Sequence, residues 1–196
     1  MTYLEGVELV ISYKKMDFEC LEIYDQIPMQ LEVTKIFEVN KIGNGLEGIK
    51  YEFIEKEVTP YVLDFVNGES ATKWREYFNI TNWAIFMAFD NEIPIGGTVV
   101  AAKTPEVRML DGRDDITVLW DIRVSGKYKH QGIGHHLLTM AIEWSKENGY
   151  KKMKIECQNT NIPACKFYEK HGAELFVVNE NAYGTDEVMF LWYIAL

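Results

Sequence analysis

The sequence predicts an α+β fold in which a mixed, mostly antiparallel sheet contains one central parallel strand pair and is flanked by helices. In the first two thirds of the chain, apolar segments alternate with short polar turns, which is typical of β hairpins. Between Thr117 and Cys157, a strand, a glycine-rich turn, a long amphipathic helix and a second strand follow one another. That order predicts a right-handed βαβ crossover, whose two strands are parallel.

Composition favours one domain over residues 1–196. The chain has 196 residues, of which 47% are hydrophobic and 13% aromatic, enough for a full-sized core. We expect the core to cover residues 31–196 and assign no role to the extension formed by residues 1–30.

The charge and the cysteines restrict the partners and the compartment. A formal net charge of −10 disfavours nucleic acid and attracts cations, including amines. No apolar segment reaches the roughly 18 residues of a membrane span, and the first residues carry no basic signal-peptide region. The three cysteines lack C-x-x-C spacing, which predicts a reducing, cytoplasmic setting without disulfides or a metal site. They are Cys20, Cys157 and Cys165.

The first half contains strands and short helices. We expect a strand over 31–39 and a turn over 41–48. Thr59 and Pro60 resemble an N-cap and a first helical residue, which predicts a helix over 59–65. Ser70 begins a second short helix.

Hairpins follow. Residues 83–89 and 94–102 form two strands around the turn at 90–92, and Asp111-Gly112 is a strong turn signal before the strand 117–124.

The last third is helix and strand in alternation. Apolar residues at helical spacing predict a helix over 134–148, ended by Asn148-Gly149. Residues 152–157 alternate as a strand does, and a helix over 163–171 precedes two final strands, 174–178 and 187–194.

The turn that opens the long helix has the chemistry of an anion site. Its sequence is Lys129-His130-Gln131-Gly132-Ile133-Gly134. Backbone N–H groups and the helix dipole at such a turn suit a pyrophosphate, and a glycine lets phosphates approach the backbone. Basic side chains add a positive island to an acidic protein; they are Lys127, Lys129, His130, His135 and His136.

Three interpretations of this turn remain open: a structural turn, a dinucleotide-binding loop and an acyl-CoA pyrophosphate site. Glu156 lies where a dinucleotide-binding loop expects a ribose-binding acid. However, Leu137 replaces the third glycine of that pattern, and the glycines lie eight residues beyond Val124.

Four segments together resemble the GCN5-related N-acetyltransferase (GNAT) superfamily over about residues 31–196. The segments are Ile122-Arg123-Val124, Tyr128 to Gly134, Asn159-Thr160-Asn161 through Ala164, and Phe167 to Gly172. The resemblance implies the GNAT acyl-CoA N-acyltransferase fold, with a splay and often a bulge at the strand 117–124. It also implies direct acetyl transfer from acetyl-CoA to a primary amine in a ternary complex, without a metal. Lys129 departs from the Arg or Gln that the family prefers, so the forked side-chain contact is lost.

The resemblance also implies the site residues. Tyr168 corresponds to the general acid that protonates the leaving thiolate, and the amides of residues 122–124 to the donors that pair with pantetheine and polarise the thioester. The implied coenzyme-binding residues are Ile122, Arg123, Val124, Lys129, His130, Gln131, Gly132, Ile133, Gly134, His135, Asn159, Asn161, Ala164 and Phe167.

Three candidate site residues also have a purely structural interpretation. Asp121 is the candidate base or amine-binding acid, but it shares a strand face with Arg123 and the two side chains can simply pair. A water chain is an alternative base. Tyr168 can be a core aromatic beside Phe167, and Asn159 a turn or cap residue.

Within the superfamily, VLWDIRV, IECQNTNIPACKFYEKHGA and Asn181-Ala182-Tyr183 look like streptothricin acetyltransferases. The expected acceptor is therefore streptothricin, at an amine of its β-lysine portion, which gives antibiotic resistance. Polyamines, protein lysines and a non-catalytic CoA-binding module are the alternatives, and a homodimer remains open. Trp83, Trp120 and Tyr183 are candidates for shaping the acceptor pocket.

Overall fold

A computed structural model describes residues 3–4, 7–8, 10–66, 70–184 and 187–196. The chain groups into two compact units. The first comprises Met1–Gln30, Phe65–Lys154 and Ala195–Leu196, and the second comprises Leu31–Asp64 and Ile155–Ile194. The prediction of one domain over 1–196 stays a prediction.

The strands and helices follow the expected alternation. In chain order, the strands are β1 (Tyr3–Leu4), β2 (Val7–Glu8), β3 (Ile11–Met16), β4 (Gln30–Gly45), β5 (Gly48–Asp64), β6 (Ala84–Asp90), β7 (Ile93–Ala101), β8 (Ile116–Val124), β9 (Lys152–Gln158), β10 (Glu174–Asn179) and β11 (Met189–Ala195). The helices are α1 (Leu21–Tyr24), α2 (Trp74–Tyr77), α3 (Ile133–Glu147) and α4 (Ile162–Lys170).

The first unit is built on a sheet with the strand order β9-β8-β7-β6-β3. All neighbours are antiparallel except β8 and β9, which run parallel through three pairs from Ile116–Lys152 to Val118–Lys154. This confirms the predicted parallel pair. Helix α3 connects the two strands and packs against β6, β7 and β8.

The N-terminal residues belong to the core of the first unit. Strand β3 pairs with β6, and the side chains of Tyr24 and Ile27 are fully buried. A Cβ on Gly97 of β7 would lie 2.4 Å from the ring of Tyr24, so a glycine is needed for α1 to lie this close to the sheet. The extension is therefore a structural part of this unit from residue 11 onward.

The second unit contains a long two-stranded ribbon, β4–β5, and the strand order β10-β11-β9. Strands β10 and β11 are antiparallel. Phe53 of β5 meets the ring of Phe190 on β11 edge-on, with the centroids 5.5 Å apart. Phe53 also lies 6.1 Å from Phe37 of β4, so aromatic contacts join the ribbon to the strands of this unit.

Two predictions for the first half are wrong. No helix begins at Pro60, because residues 48–64 form β5. In a ribbon of two strands, one edge of each strand has no strand partner, so a proline without an N–H is tolerated there. The turn expected over 41–48 shrinks to Leu46-Glu47, since β4 continues to Gly45 and Gly43 takes a positive φ of 83° inside it.

The other expected elements are present, with bounds that differ by a few residues. Strand β11 begins at Met189, two residues later than the predicted strand 187–194. Among the described residues, no helix is both long and apolar enough to cross a membrane.

Candidate active site

Strand β8 carries a bulge at Trp120. Val99 of β7 pairs with Asp121 and Val100 with Leu119, so Trp120 is an extra residue in the ladder. A bulge bends the strand and locally interrupts the pairing. Among the described residues of the first unit, the β8 residues after Val118 pair with β7 and not with β9. The bulge that the family resemblance implied is therefore present.

The register fixes which β8 amides face away from β7. The N–H of Ser125 donates to the carbonyl of Ile95 at 2.8 Å. Because successive amides on a strand point to opposite edges, the N–H of Arg123 also faces β7. The N–H groups of Ile122 and Val124 face the other edge. Two of the three predicted backbone donors can thus serve a ligand there.

The glycine-rich turn ends in the left-handed conformation that opens α3. Gly132 is the N-cap, with φ of 82°, and His130 also has a positive φ of 63°. The first helical bond runs from the N–H of His136 to the carbonyl of Gly132 at 3.0 Å. The amides of Ile133 and Gly134 precede it and gain no intrahelical partner.

This helix end fits a diphosphate. No side chain caps it and its first turn contains no acidic residue, so the positive end of the dipole is not neutralised. A Cβ added at Gly132 would meet no protein atom within 4 Å, so the space in front of the turn is open. Backbone N–H donors, open space in front of them and a positive potential are the features that a coenzyme A diphosphate requires of its binding site.

The basic side chains around the turn are exposed. Lys129 Nζ donates to the carbonyl of Gln30 at 3.3 Å, and Gln131 Nε2 donates to the carbonyl of Lys127 at 3.1 Å. His130 and His135 lie on the surface of the same turn. These groups surround the predicted anion site without filling it.

Asp121 and Arg123 form a buried, two-point ion pair. Arg123 Nε donates to Asp121 Oδ1 at 3.1 Å, Nη2 contacts Oδ2, and Nη1 donates to the carbonyl of Ile27 at 3.2 Å. Burial opposes the charge of Arg123, but the hydrogen bonds and charge of Asp121 raise its pKa above the ordinary value. The pairing alternative is what the structure shows, and a role for Asp121 as base stays a prediction.

Asn159 is fully engaged within the second unit. Its Nδ2 donates to the carbonyl of Phe37 at 3.0 Å, and its Oδ1 accepts from the N–H of Val188 at 3.0 Å. Its backbone bonds the same two residues, at 2.9 Å each. The side chain therefore ties the ribbon to the segment before β11, and its predicted contact with coenzyme A stays a prediction.

Asn161 caps α4, and Tyr168 lies on the buried side of that helix. Asn161 Oδ1 accepts from the N–H of Ala164 at 3.2 Å, so this amide has a partner inside the protein. Tyr168 is 6% exposed, and its ring lies 5.6 Å from that of the half-buried Phe167. The cap orients the helix that carries Tyr168.

A family model described as the acetyltransferase (GNAT) family matches residues 51–173. This chain belongs to the GNAT family. The predicted fold class and the predicted class of enzyme, an acetyltransferase, are confirmed by that membership.

Two curated relatives are streptothricin acetyltransferases. The chain is 40% identical over 77 residues to streptothricin acetyltransferase A of Bacillus subtilis (strain 168), across 37% of this chain and 44% of that protein. In that match the chain spans less than half of the relative's length. It is 22% identical over 166 residues to the streptothricin acetyltransferase of Escherichia coli, across 82% of this chain and 83% of that protein.

Solved structures share the fold. A Bacillus anthracis str. Ames protein described as a streptothricin acetyltransferase, in complex with acetyl coenzyme A, has a TM-score of 0.75 at 24% identity and covers 95% of this chain and 99% of its own. Nourseothricin acetyltransferase has a TM-score of 0.71 at 19% identity, with 94% and 98% covered.

Sequence reasoning missed two features of this GNAT chain. Tyr183 donates to Glu156 Oε1 at 2.7 Å, and burial followed by this hydrogen bond raises the pKa of Tyr183. Tyr24, from the segment without an assigned role, lies under Arg123 with the guanidinium 4.7 Å from its ring. No motif marks either contact, because both join residues far apart in the sequence.

The aromatic residues of the first unit form a cluster beside the bulge. The rings of Trp83 and Trp120 lie 5.1 Å apart, and Phe78 lies 5.0 Å from Trp120. Trp74 contacts both tryptophans, at 6.4 Å. In the described part of the chain, no group of three or more His, Cys, Asp or Glu could hold a metal ion.

Proposed function

We propose that this chain transfers the acetyl group of acetyl-CoA to a primary amine of a small molecule, and that this acceptor is streptothricin. Binding of acetyl-CoA is supported by the start of α3 at Gly132, where no side chain caps the helix and the first turn contains no acidic residue. It lies in the same unit as the two β8 amides that face away from β7, those of Ile122 and Val124.

The backbone performs most of the proposed chemistry. The amides at the start of α3 bind the diphosphate, and the dipole of this 15-residue helix adds to their potential. The amides of Ile122 and Val124 bind the pantetheine arm and stabilise negative charge on the thioester oxygen during attack. Tyr168 supplies the proton that the leaving thiolate needs, which is a role the family resemblance implies.

The acceptor proposal rests on the relatives. Both curated proteins above are streptothricin acetyltransferases, and one match spans most of the chain. A net charge of −10 suits a cationic acceptor, because it raises the local concentration of cations and their association rate. Polyamines and lysine-containing peptides share that charge and therefore form the other arms of the test.

The test is an acceptor panel. The protein is incubated with acetyl-CoA and streptothricin, a polyamine or a lysine peptide, and free thiol is followed. We expect streptothricin to give the highest kcat/KM and the acetylated product by mass spectrometry. If streptothricin releases thiol no faster than the reaction without an acceptor, the proposal that streptothricin is the acceptor is wrong. If a polyamine gives a higher kcat/KM than streptothricin, the polyamine is the acceptor instead. Light scattering of the same sample distinguishes the homodimer that the sequence leaves open from a monomer.

A further inference from the structure

Two of the three cysteines lie side by side in the second unit. The Sγ atoms of Cys157 on β9 and Cys165 on α4 are 3.5 Å apart, and both side chains are buried. Trp192 Nε1 donates to Cys157 Sγ at 3.2 Å, which fixes that sulfur. A disulfide needs a separation of about 2.05 Å, so the two sulfurs must approach by roughly 1.5 Å.

A cavity of about 500 Å³ reaches Cys165 from one side. Cavities of this size hold small organic molecules. Cys165 lines it, together with aromatic and aliphatic side chains and, at three positions, charged ones: Phe37, Phe53, Ala173, Leu175, Phe190 and Trp192, and Lys166, Glu169 and Glu174. A small aromatic molecule can therefore contact Cys165, whereas Cys157 does not line the cavity.

We propose that Cys157 and Cys165 are a thiol modification site that is oxidised to a disulfide by a small aromatic disulfide entering this cavity. The thiolate of Cys165 attacks one sulfur of the reagent, the reagent's S–S bond breaks, and one thiolate leaves and takes up a proton. Cys157 then attacks Sγ of Cys165, the new bond forms, and the second reagent thiolate leaves. The cysteines lose two electrons and two protons, and the reagent becomes two thiols.

The order of these steps follows from the surroundings of each sulfur. Cys165 lines the cavity and Cys157 does not, so the reagent meets Cys165 first; the hydrogen bond with Cys165, followed by burial, also raises the pKa of Cys157. Conversion of Cys165 to a mixed disulfide makes its Sγ the electrophile that Cys157 attacks. Cys165 is therefore the attacking residue and Cys157 the resolving one.

The closed disulfide would bridge β9 and α4 around the turn that holds Asn159 and Asn161. Asn161 caps the helix that carries Tyr168. The modification site thus lies next to residues of the proposed acetyl-transfer site, but its formation can be measured without any assay of activity.

The test uses the full chain and 4,4′-dithiodipyridine, a neutral aromatic disulfide whose released thiol absorbs light. Trypsin places both cysteines on one peptide, residues 155–166, and Cys20 on another. We expect two reagent thiols released per chain and a 155–166 peptide that is lighter by two hydrogens and recovers them on reduction. Cys20→Ser, which replaces the third buried cysteine, is the matched control and should behave as the original chain.

The single variants separate the two roles. Cys157→Ser should release one reagent thiol and keep a stable adduct on Cys165, and Cys165→Ser should leave Cys157 unmodified in the folded protein. The proposal is overturned if Cys157 in Cys165→Ser is modified to the same extent as Cys165 in Cys157→Ser. It is also overturned if the 155–166 peptide of the original chain stays unoxidised. If a variant fails to fold by circular dichroism, a time course of alkylation on the original chain replaces it. Cys165 must then react before Cys157.

Discussion

At the scale of single residues, Asp121 has one observed interaction and one predicted one. Its carboxylate pairs with a guanidinium that is only 6% exposed, and the sequence also predicts that it binds or deprotonates the acceptor amine. Spacing alone predicted that Asp121 and Arg123 share a face, but not that they are buried together. Burial of this pair depends on Ile27 and Tyr24, which come from a segment that no motif marked.

Removal of one partner tests the pair. Asp121→Ala leaves the charge of Arg123 buried and unpaired, which typically costs about 3–5 kcal/mol. We expect the free energy of unfolding, measured in urea, to fall by that order. Asp115→Ala is the control, since Asp115 binds Arg113 at the same two-residue spacing on an exposed surface, and its loss should be much smaller. Equal losses in the two variants would contradict a structural role for the buried pair.

Tyr168→Phe tests the proton donor. The change removes a hydroxyl but little packing from a side chain that is 6% exposed. We expect kcat to fall by about 10²-fold or more while the Kd for acetyl-CoA stays within twofold. Tyr150→Phe, at a buried tyrosine in the connection from α3 to β9, should change neither constant. Loss of acetyl-CoA binding with kcat preserved would refute the assignment of the acid.

At the scale of elements, α3 has a glycine in the left-handed conformation at each end. Gly132 precedes the helix with φ of 82° and Gly149 follows it with φ of 79°, and a Cβ at either position meets no protein atom within 4 Å. The two positions therefore impose similar backbone strain on a substituted residue. They differ in that Gly132 alone adjoins the helix N-terminus.

This symmetry gives a matched experiment. Gly132→Val and Gly149→Val should lose similar stability, because each places a β-branched residue at positive φ. By calorimetry, we expect Gly132→Val to weaken acetyl-CoA binding at least tenfold, about 1.4 kcal/mol, since the side chain blocks the diphosphate. Gly149→Val should bind as the original chain does. If both variants bind alike, Gly132 has no part in the coenzyme site.

Elements were predictable from the sequence where local chemistry decides them. The start of α3 and its end at Asn148-Gly149 follow from glycine and apolar spacing. Pro60 misled the prediction because the same residue suits a helix start and the edge of a ribbon, and only the pairing of β4 with β5 decides between them. The bulge at Trp120 has no local signal, since a register shift is a property of two strands.

At the scale of the whole molecule, buried tyrosines link stability to alkaline pH. Burial, followed by the charge of Asp121, raises the pKa of Tyr24 well above its usual value near 10. The unfolded chain releases this proton near pH 10 while the folded chain retains it, so the unfolded state binds fewer protons. The contribution of Tyr24 is therefore fully present below pH 10 and is lost as the pH rises toward the raised pKa.

We expect the free energy of unfolding to decline above pH 10, and Tyr24→Phe to decline less steeply. Urea unfolding at several pH values between 8 and about 11 measures both slopes. Tyr77→Phe removes an exposed tyrosine and should leave the slope unchanged. Parallel curves for the original chain and Tyr24→Phe would contradict the assigned cause.

A crystal structure of this chain with the coenzyme is the most direct test of whether the start of α3 and the edge of β8 that faces away from β7 bind acetyl-CoA. We expect diphosphate oxygens within about 3.2 Å of the backbone amides of Ile133 and Gly134, and the pantetheine arm beside the N–H groups of Ile122 and Val124. A coenzyme bound elsewhere, with this helix end unoccupied, would show that the start of α3 is not the coenzyme site.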